Sequence, residues 1–72
     1  MRTAYHSAAI IHRFGIGKMV CFSATVRLPN AARGPYQILA QLPERDGEFQ
    51  YRIKSDREPH DRIVKEGELR FA

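Results

Sequence analysis

Two alternating segments flanking an Asp-Gly step, Tyr36 to Leu42 and Phe49 to Ile53, restrict this chain more than any other feature. Apolar residues at period two argue for strands with one buried face, and a polar stretch ending in glycine between them argues for a hairpin. Tyr36, Ile38, Ala40 and Leu42 make the apolar face of the first arm. Phe49, Tyr51 and Ile53 make that of the second, with Glu48, Gln50, Arg52 and Lys54 opposite. Only even-length loops bring the two apolar faces together, because a one-residue slip turns a strand over. A two-residue Asp46-Gly47 turn sets Leu42 against Tyr51, whereas a four-residue loop from Glu44 to Gly47 sets Leu42 against Phe49 and Ile38 against Ile53. The longer loop is the expectation. It leaves Pro43 at a strand end, where its missing N–H breaks no ladder bond, and lets Gly47 take a positive φ.

Upstream, Val20, Phe22, Ala24, Val26 and Leu28 alternate with more polar neighbours and read as one long strand. The opening Phe14-Gly15-Ile16-Gly17-Lys18-Met19-Val20 reads as an aromatic, a glycine turn and a buried aliphatic leading into it. Pro29 to Pro35, with two prolines, an asparagine and a glycine, is a loop. Asp56 to Asp61 is a second, polar loop, followed by a short strand over Arg62 to Lys65. After the break at Gly67 a 3-10 turn and a last short strand are expected, with Leu69 and Phe71 plugging one end of the core.

Four to five short strands without helical periodicity argue for a mainly β fold, a small antiparallel SH3-like barrel over residues 14–72 that hides its edges by closing. At 72 residues the chain is short for an OB-fold with its five strands and helix. Residues 1–13 read as a flexible arm, with an extra edge strand through Ala8 to Ile11 as the rival. No apolar run approaches the roughly 18 residues of a membrane helix. Ala8 to Ile11 is too brief, and too soon interrupted by His12 and Arg13, for a secretory signal. Cys21 is the one cysteine, so no internal disulfide forms and a cytoplasmic setting is expected.

The strings Arg33-Gly34-Pro35-Tyr36, Leu42-Pro43-Glu44 and Asp46 to Ser55, then Glu58-Pro59-His60 and Arg62 to Glu66 with Leu69, resemble a group of short bacterial proteins. The resemblance spans residues 14–69 and implies a compact domain starting near Phe14. It implies no activity and supplies no catalytic or binding residue.

The motifs that carry chemistry elsewhere are incomplete here. Gly15-Ile16-Gly17-Lys18 lacks the four-residue spacing of a phosphate loop and has Met19 where Ser or Thr belongs. His6, His12, His60 and Cys21 have no zinc-ligand spacing, so no metal or cofactor is expected. His60-Asp61 and Cys21 lie far apart in sequence, and no enzyme is expected. Charge is more informative. The formal net charge is +4, and residues 1–36 hold five Lys or Arg and no acid. Two readings follow, both non-catalytic: an interaction module, with Tyr36 beside the long loop lining a groove for a protein partner, or sequence-nonspecific contact of a basic face with nucleic acid through Lys18, Arg27, Arg33, Arg52 and Lys54.

Overall fold

Asp46 and Gly47 both take positive φ, 57° and 84°, as a type I′ turn requires, and Arg45 pairs directly with Glu48 across it. The hairpin therefore turns on two residues, not four. In this computed structural model, which describes residues 11–29 and 32–72, the arms are β2 (Tyr36–Arg45) and β3 (Glu48–Lys54), flanked by β1 (Met19–Phe22), β4 (Arg62–Lys65) and β5 (Leu69–Phe71). All neighbours are antiparallel, in the order β4-β3-β2-β1-β5.

At its far end the hairpin has Ile38 opposite Ile53, the pairing the four-residue loop required. Two irregularities in β2 reconcile this with the tight turn. Pro43 and Glu44 oppose Phe49 alone, and Leu39 is an extra residue between the Ile38/Ile53 and Ala40/Arg52 pairs. Proline suits the first site because it has no N–H to leave unpaired. The second reverses the expected faces beyond it, since residues opposite one another share a side. Gln41, opposite Tyr51, takes the core side, while Ala40 and Leu42 join Arg52 and Gln50 on the other.

The mainly antiparallel β architecture stands, but the barrel is open. A 3-10 turn (Glu66–Glu68) carries the chain from β4 at one end of the sheet to β5 at the other, and among the described residues these two strands share no ladder. Edges of four and three residues offer little backbone to a passing strand. The long first strand is also corrected: β1 stops at Phe22. The Ser23 and Thr25 hydroxyls bond one another at 2.8 Å and the Ser23 carbonyl accepts the Val26 N–H, local bonds that compete with a ladder. Downstream, Ser55 ends β3 in a turn whose Arg57 N–H donates to the Ser55 hydroxyl.

Phe14, Val20, Phe22, Tyr36, Ile38, Tyr51, Ile53, Val64 and Leu69 form the core on one face of the sheet. Phe71 is half exposed but edges onto the Phe14 ring, 4.9 Å between centroids. The first ten residues of the expected arm lie outside the described residues. Arg13 and His12 are bonded to the domain, through Glu66 and the Leu42 carbonyl.

Two glycines at positive φ give a stability test. At Gly47 a Cβ would meet nothing within 4 Å, so alanine adds only backbone strain, about 1 kcal/mol. At Gly34, φ 120°, it would come within 3.1 Å of the Tyr36 ring, 3.2 Å of the Val20 carbonyl and 3.3 Å of the Cys21 Cα. Gly34→Ala should cost about 2–4 kcal/mol by adding overpacking to strain, well beyond Gly47→Ala. Urea unfolding of the two variants checks this, and equal midpoints would refute it.

Candidate functional site

The core side of the sheet commits its polar groups internally. The Tyr51 hydroxyl, at the centre of the core, accepts the Phe14 N–H at 3.1 Å and donates to Glu66 Oε2, the same oxygen that accepts the Arg13 N–H at 2.8 Å. Gln41 Nε2 donates to the Phe14 carbonyl at 2.9 Å, and His12 Nε2 bonds the Leu42 carbonyl at 2.7 Å with its ring stacked 4.1 Å from Phe49. Burial, reinforced by the bond to Glu66, pushes the Tyr51 phenol up to about 12.

At the other end Arg62 holds Glu58 with a fork of two bonds, 2.9 and 2.6 Å, and lies over the Phe22 ring. The bond to Arg62 keeps the Glu58 carboxyl below its ordinary value, and the carboxylate in turn holds the guanidinium charged. Tyr36, expected to line a groove, is buried here. Its ring meets Phe22 edge-on at 5.4 Å and its hydroxyl donates to the Ala32 carbonyl, so it offers no aromatic surface to a ligand; burial raises its phenol above the ordinary value. Among the described residues no three His, Cys, Asp or Glu side chains converge as metal ligands.

The five cations singled out from the sequence do not share one surface. Arg33 is half buried, with Nη1 and Nη2 donating to the Ser23 and Val26 carbonyls at 3.0 and 2.6 Å. Arg27 is exposed on the loop that Arg33 ties down, and Lys18, two residues before buried Val20, has core-side parity at the start of β1. Arg52 and Lys54 do come together, on the outward face of β3.

That outward face holds the candidate site. Across the sheet Met19 stands opposite Gln37 and Gln37 opposite Lys54; Ala40 opposite Arg52 and Arg52 opposite Ile63; Leu42 opposite Gln50 and Gln50 opposite Lys65. Arg70 joins through its pairing with Cys21. The exposed aliphatics Met19 (45%), Leu39 (37%) and Ile63 (53%) thus share this face with Arg52 and Lys54 on β3 and with Lys65 and Arg70 on the two opposite edge strands. Glu48, outward by parity at the hairpin end, has its carboxylate on the Gly67 N–H at 2.6 Å. Beyond Lys54, Asp56 lines with it an open recess of about 460 Å³ at the sheet's corner. Lys65 and Arg70 escaped the sequence reading because their place depends on long-range register; Lys65 alternates with buried Val64, a local hint.

Compared with protein-family models, curated proteins and solved structures, the chain matches none. No helix among the described residues is long and apolar enough to cross a membrane.

Two titrations follow. Because the Tyr51 phenol ionises near 12 in the fold against 10 in an unfolded chain, its contribution is complete below pH 10 and is lost as pH rises from 10 to 12. Tyr51→Phe should remove that alkaline loss and itself cost about 1–3 kcal/mol, by leaving the Phe14 N–H and the Glu66 carboxylate short of a partner. Urea unfolding at pH 7, 10 and 11.5 tests both. For Glu58 the sign is opposite: its contribution is complete above the ordinary glutamate value and fades as pH falls through the lowered one. Thermal melts of Glu58→Gln should show a shallower loss of stability in acid than the parent.

Proposed function

We propose that the protein is a non-catalytic binding module that meets its partner with the outward face of its sheet. The observation behind this reading is the mixed character of that face: exposed aliphatics beside four cations, with the Glu48 carboxylate already bonded to backbone. Exposed aliphatics lose unfavourable hydration when covered, and a cationic field draws an anionic partner. On the core side Arg62 is engaged with Glu58, Tyr51 with Glu66, and Arg13 with the Phe14 ring, which leaves Lys18 as its exposed cation and Phe71 as a half-exposed aromatic. A cytoplasmic setting, inferred from the unpaired Cys21, belongs to the same proposal.

The second reading, sequence-nonspecific contact with a nucleic-acid backbone, draws on the same cations, Arg52 and Lys54 joined by Lys65 and Arg70 in place of Lys18, Arg27 and Arg33. Four phosphate contacts on duplex DNA imply a slope of log affinity on log salt of about −3.6.

Amide-shift titration with polyglutamate and with a 16-base-pair duplex, each at about 50 mM salt to limit screening, tests the surface. Saturable shifts on the outward positions of β2, β3 and β4 are expected with at least one polyanion. They should vanish in the double variant Arg52→Glu, Lys54→Glu, whose dispersed spectrum reports an intact fold. Shifts confined to the loops or the core side, or no saturation with either probe, would overturn the proposal.

A further inference from the structure

The arrangement of charge and aliphatic surface on the outward face is specific enough to indicate what covers it. Gln50, Arg52 and Lys54 form a line along β3, spaced about 6.6–7 Å apart as alternate residues of a strand are. On the β2 side Ala40 stands opposite Arg52 and Leu42 opposite Gln50, with the unpaired Leu39 just before Ala40, and on the β4 side Ile63 stands opposite Arg52, the paired strands lying about 4.8 Å apart. Arg52 stands between Ala40 and Ile63. The face thus carries two cations along β3, Arg52 and Lys54, with an aliphatic rail of Leu39, Ala40 and Leu42 on the β2 side and Ile63 alone on the β4 side, Lys65 following it along β4 and Met19 standing beside the Gln37–Lys54 row.

From this we infer that the partner is an acidic protein segment that also carries aliphatic side chains, with carboxylates on Arg52 and Lys54 and aliphatics against Leu39, Leu42 and Ile63. The inference rests on the outward face being the contact surface and adds the chemistry of the occupant. An extended segment turns only alternate side chains toward the sheet, so a segment that meets this face with both chemistries carries carboxylates and aliphatics at positions of one parity, a carboxylate over Arg52 and aliphatics toward Leu42 and Ile63. Arginine among aliphatics suits such an interface, because its planar fork pairs with a carboxylate while its stem packs against neighbours.

Two other anionic surfaces match the charge but not the aliphatics. A nucleic-acid backbone would cover Leu39 and Ile63 with sugar and phosphate and bury little apolar surface in return. Single-stranded binding further draws on exposed aromatics for stacking, and the outward strand positions hold none. An anionic membrane is held by side chains that reach roughly 5–10 Å into the headgroup boundary, whereas here Ala40 and Leu42 are half-buried in a sheet face and the outward strand positions hold no aromatic.

The test compares four probes against the whole chain by amide shifts at about 100 mM salt. They are a capped peptide Glu-Glu-Leu-Leu-Glu-Glu-Val-Gly, which carries both acids and aliphatics on either side when extended, the same peptide with alanine at each aliphatic position, a 16-base-pair duplex, and vesicles containing phosphatidylserine. The first peptide should bind in a saturable way, with shifts over Gln37 to Leu42, Gln50 to Lys54 and Ile63. Its alanine counterpart, of equal charge, should bind roughly tenfold more weakly. Arg52→Glu and Ile63→Gln should each weaken the first peptide roughly tenfold while keeping a dispersed spectrum, and Ile63→Gln should leave the alanine peptide's affinity unchanged. Equal binding of the two peptides would overturn the inference while leaving the outward face as the contact surface. So would tighter binding of the duplex or the vesicles at this face. If no probe shifts the outward positions, the proposed contact surface fails together with it.

Discussion

The buried hydroxyl of Tyr51 is the point on which the rest of the fold depends. A phenol in the centre of so small a core must satisfy its polar atom there, because an unpartnered one costs about 1–3 kcal/mol. It does so by accepting the Phe14 N–H and donating to Glu66. Each bond anchors a different part of the chain: Phe14 brings in the stretch that precedes β1, and Glu66 fixes the turn between β4 and β5. The Glu66 oxygen also holds the Arg13 N–H, so the segment before Phe14 is drawn onto the sheet as well. His12 and Gln41 add their bonds around the same opening. The open end of the sheet is thereby sealed by polar contacts that a closed ladder would otherwise have supplied.

Much of this was legible in the sequence, and what was not has a common cause. Alternation located β3 and the start of β2, since each has one apolar face and one polar face. The short β4, the 3-10 turn and β5 followed from polarity and the glycine at position 67. The two irregularities in β2 were hidden because Gln37-Ile38-Leu39-Ala40-Gln41-Leu42 reads equally well as alternation or as alternation interrupted once. Pro43 did carry a signal. It marks a place where a ladder bond is missing, which fits a strand end or a bulge alike, and only the φ values of Asp46 and Gly47 decide for the bulge. For the same reason both expected registers held in part, the tight one at the turn and the wide one at Ile38 and Ile53.

Site residues divide along the same line. Arg52 and Lys54 were placed together by parity within one strand, which needs no knowledge of partners. Lys65 and Arg70 reach that face through pairings with Gln50 and Cys21, set by contacts between distant segments. Arg33 went the other way. Its positive charge counted toward a basic surface in the sequence, but its guanidinium ties the Ser23 and Val26 carbonyls of the loop that ends β1. Tyr36 likewise reads as a candidate ligand surface until Phe22 and Ala32 are found around it. Net charge reports the excess of cations over anions in a chain, whereas a binding surface depends on how many cations are left after the fold has used its share.

The two sides of the sheet show how that share is drawn. On the core side Arg62 lies over Phe22 with its fork on Glu58, and Arg13 lies near the Phe14 and Phe71 rings; their charges are spent on packing and local pairing. On the outward side Arg52, Lys54, Lys65 and Arg70 stand exposed, and the carboxylate nearest the hairpin end is occupied by Gly67. An antiparallel sheet needs only one apolar face, and its second face is ordinarily polar throughout. Here the bulge at Leu39 adds an aliphatic to that second face and turns Ala40 and Leu42 toward it, alongside Met19 and Ile63. The irregularity that, together with the one at Pro43 and Glu44, lets the hairpin keep both its tight turn and its Ile38–Ile53 pairing therefore also sets the aliphatic rail beside Arg52. One distortion of β2 serves the interior and shapes the exterior.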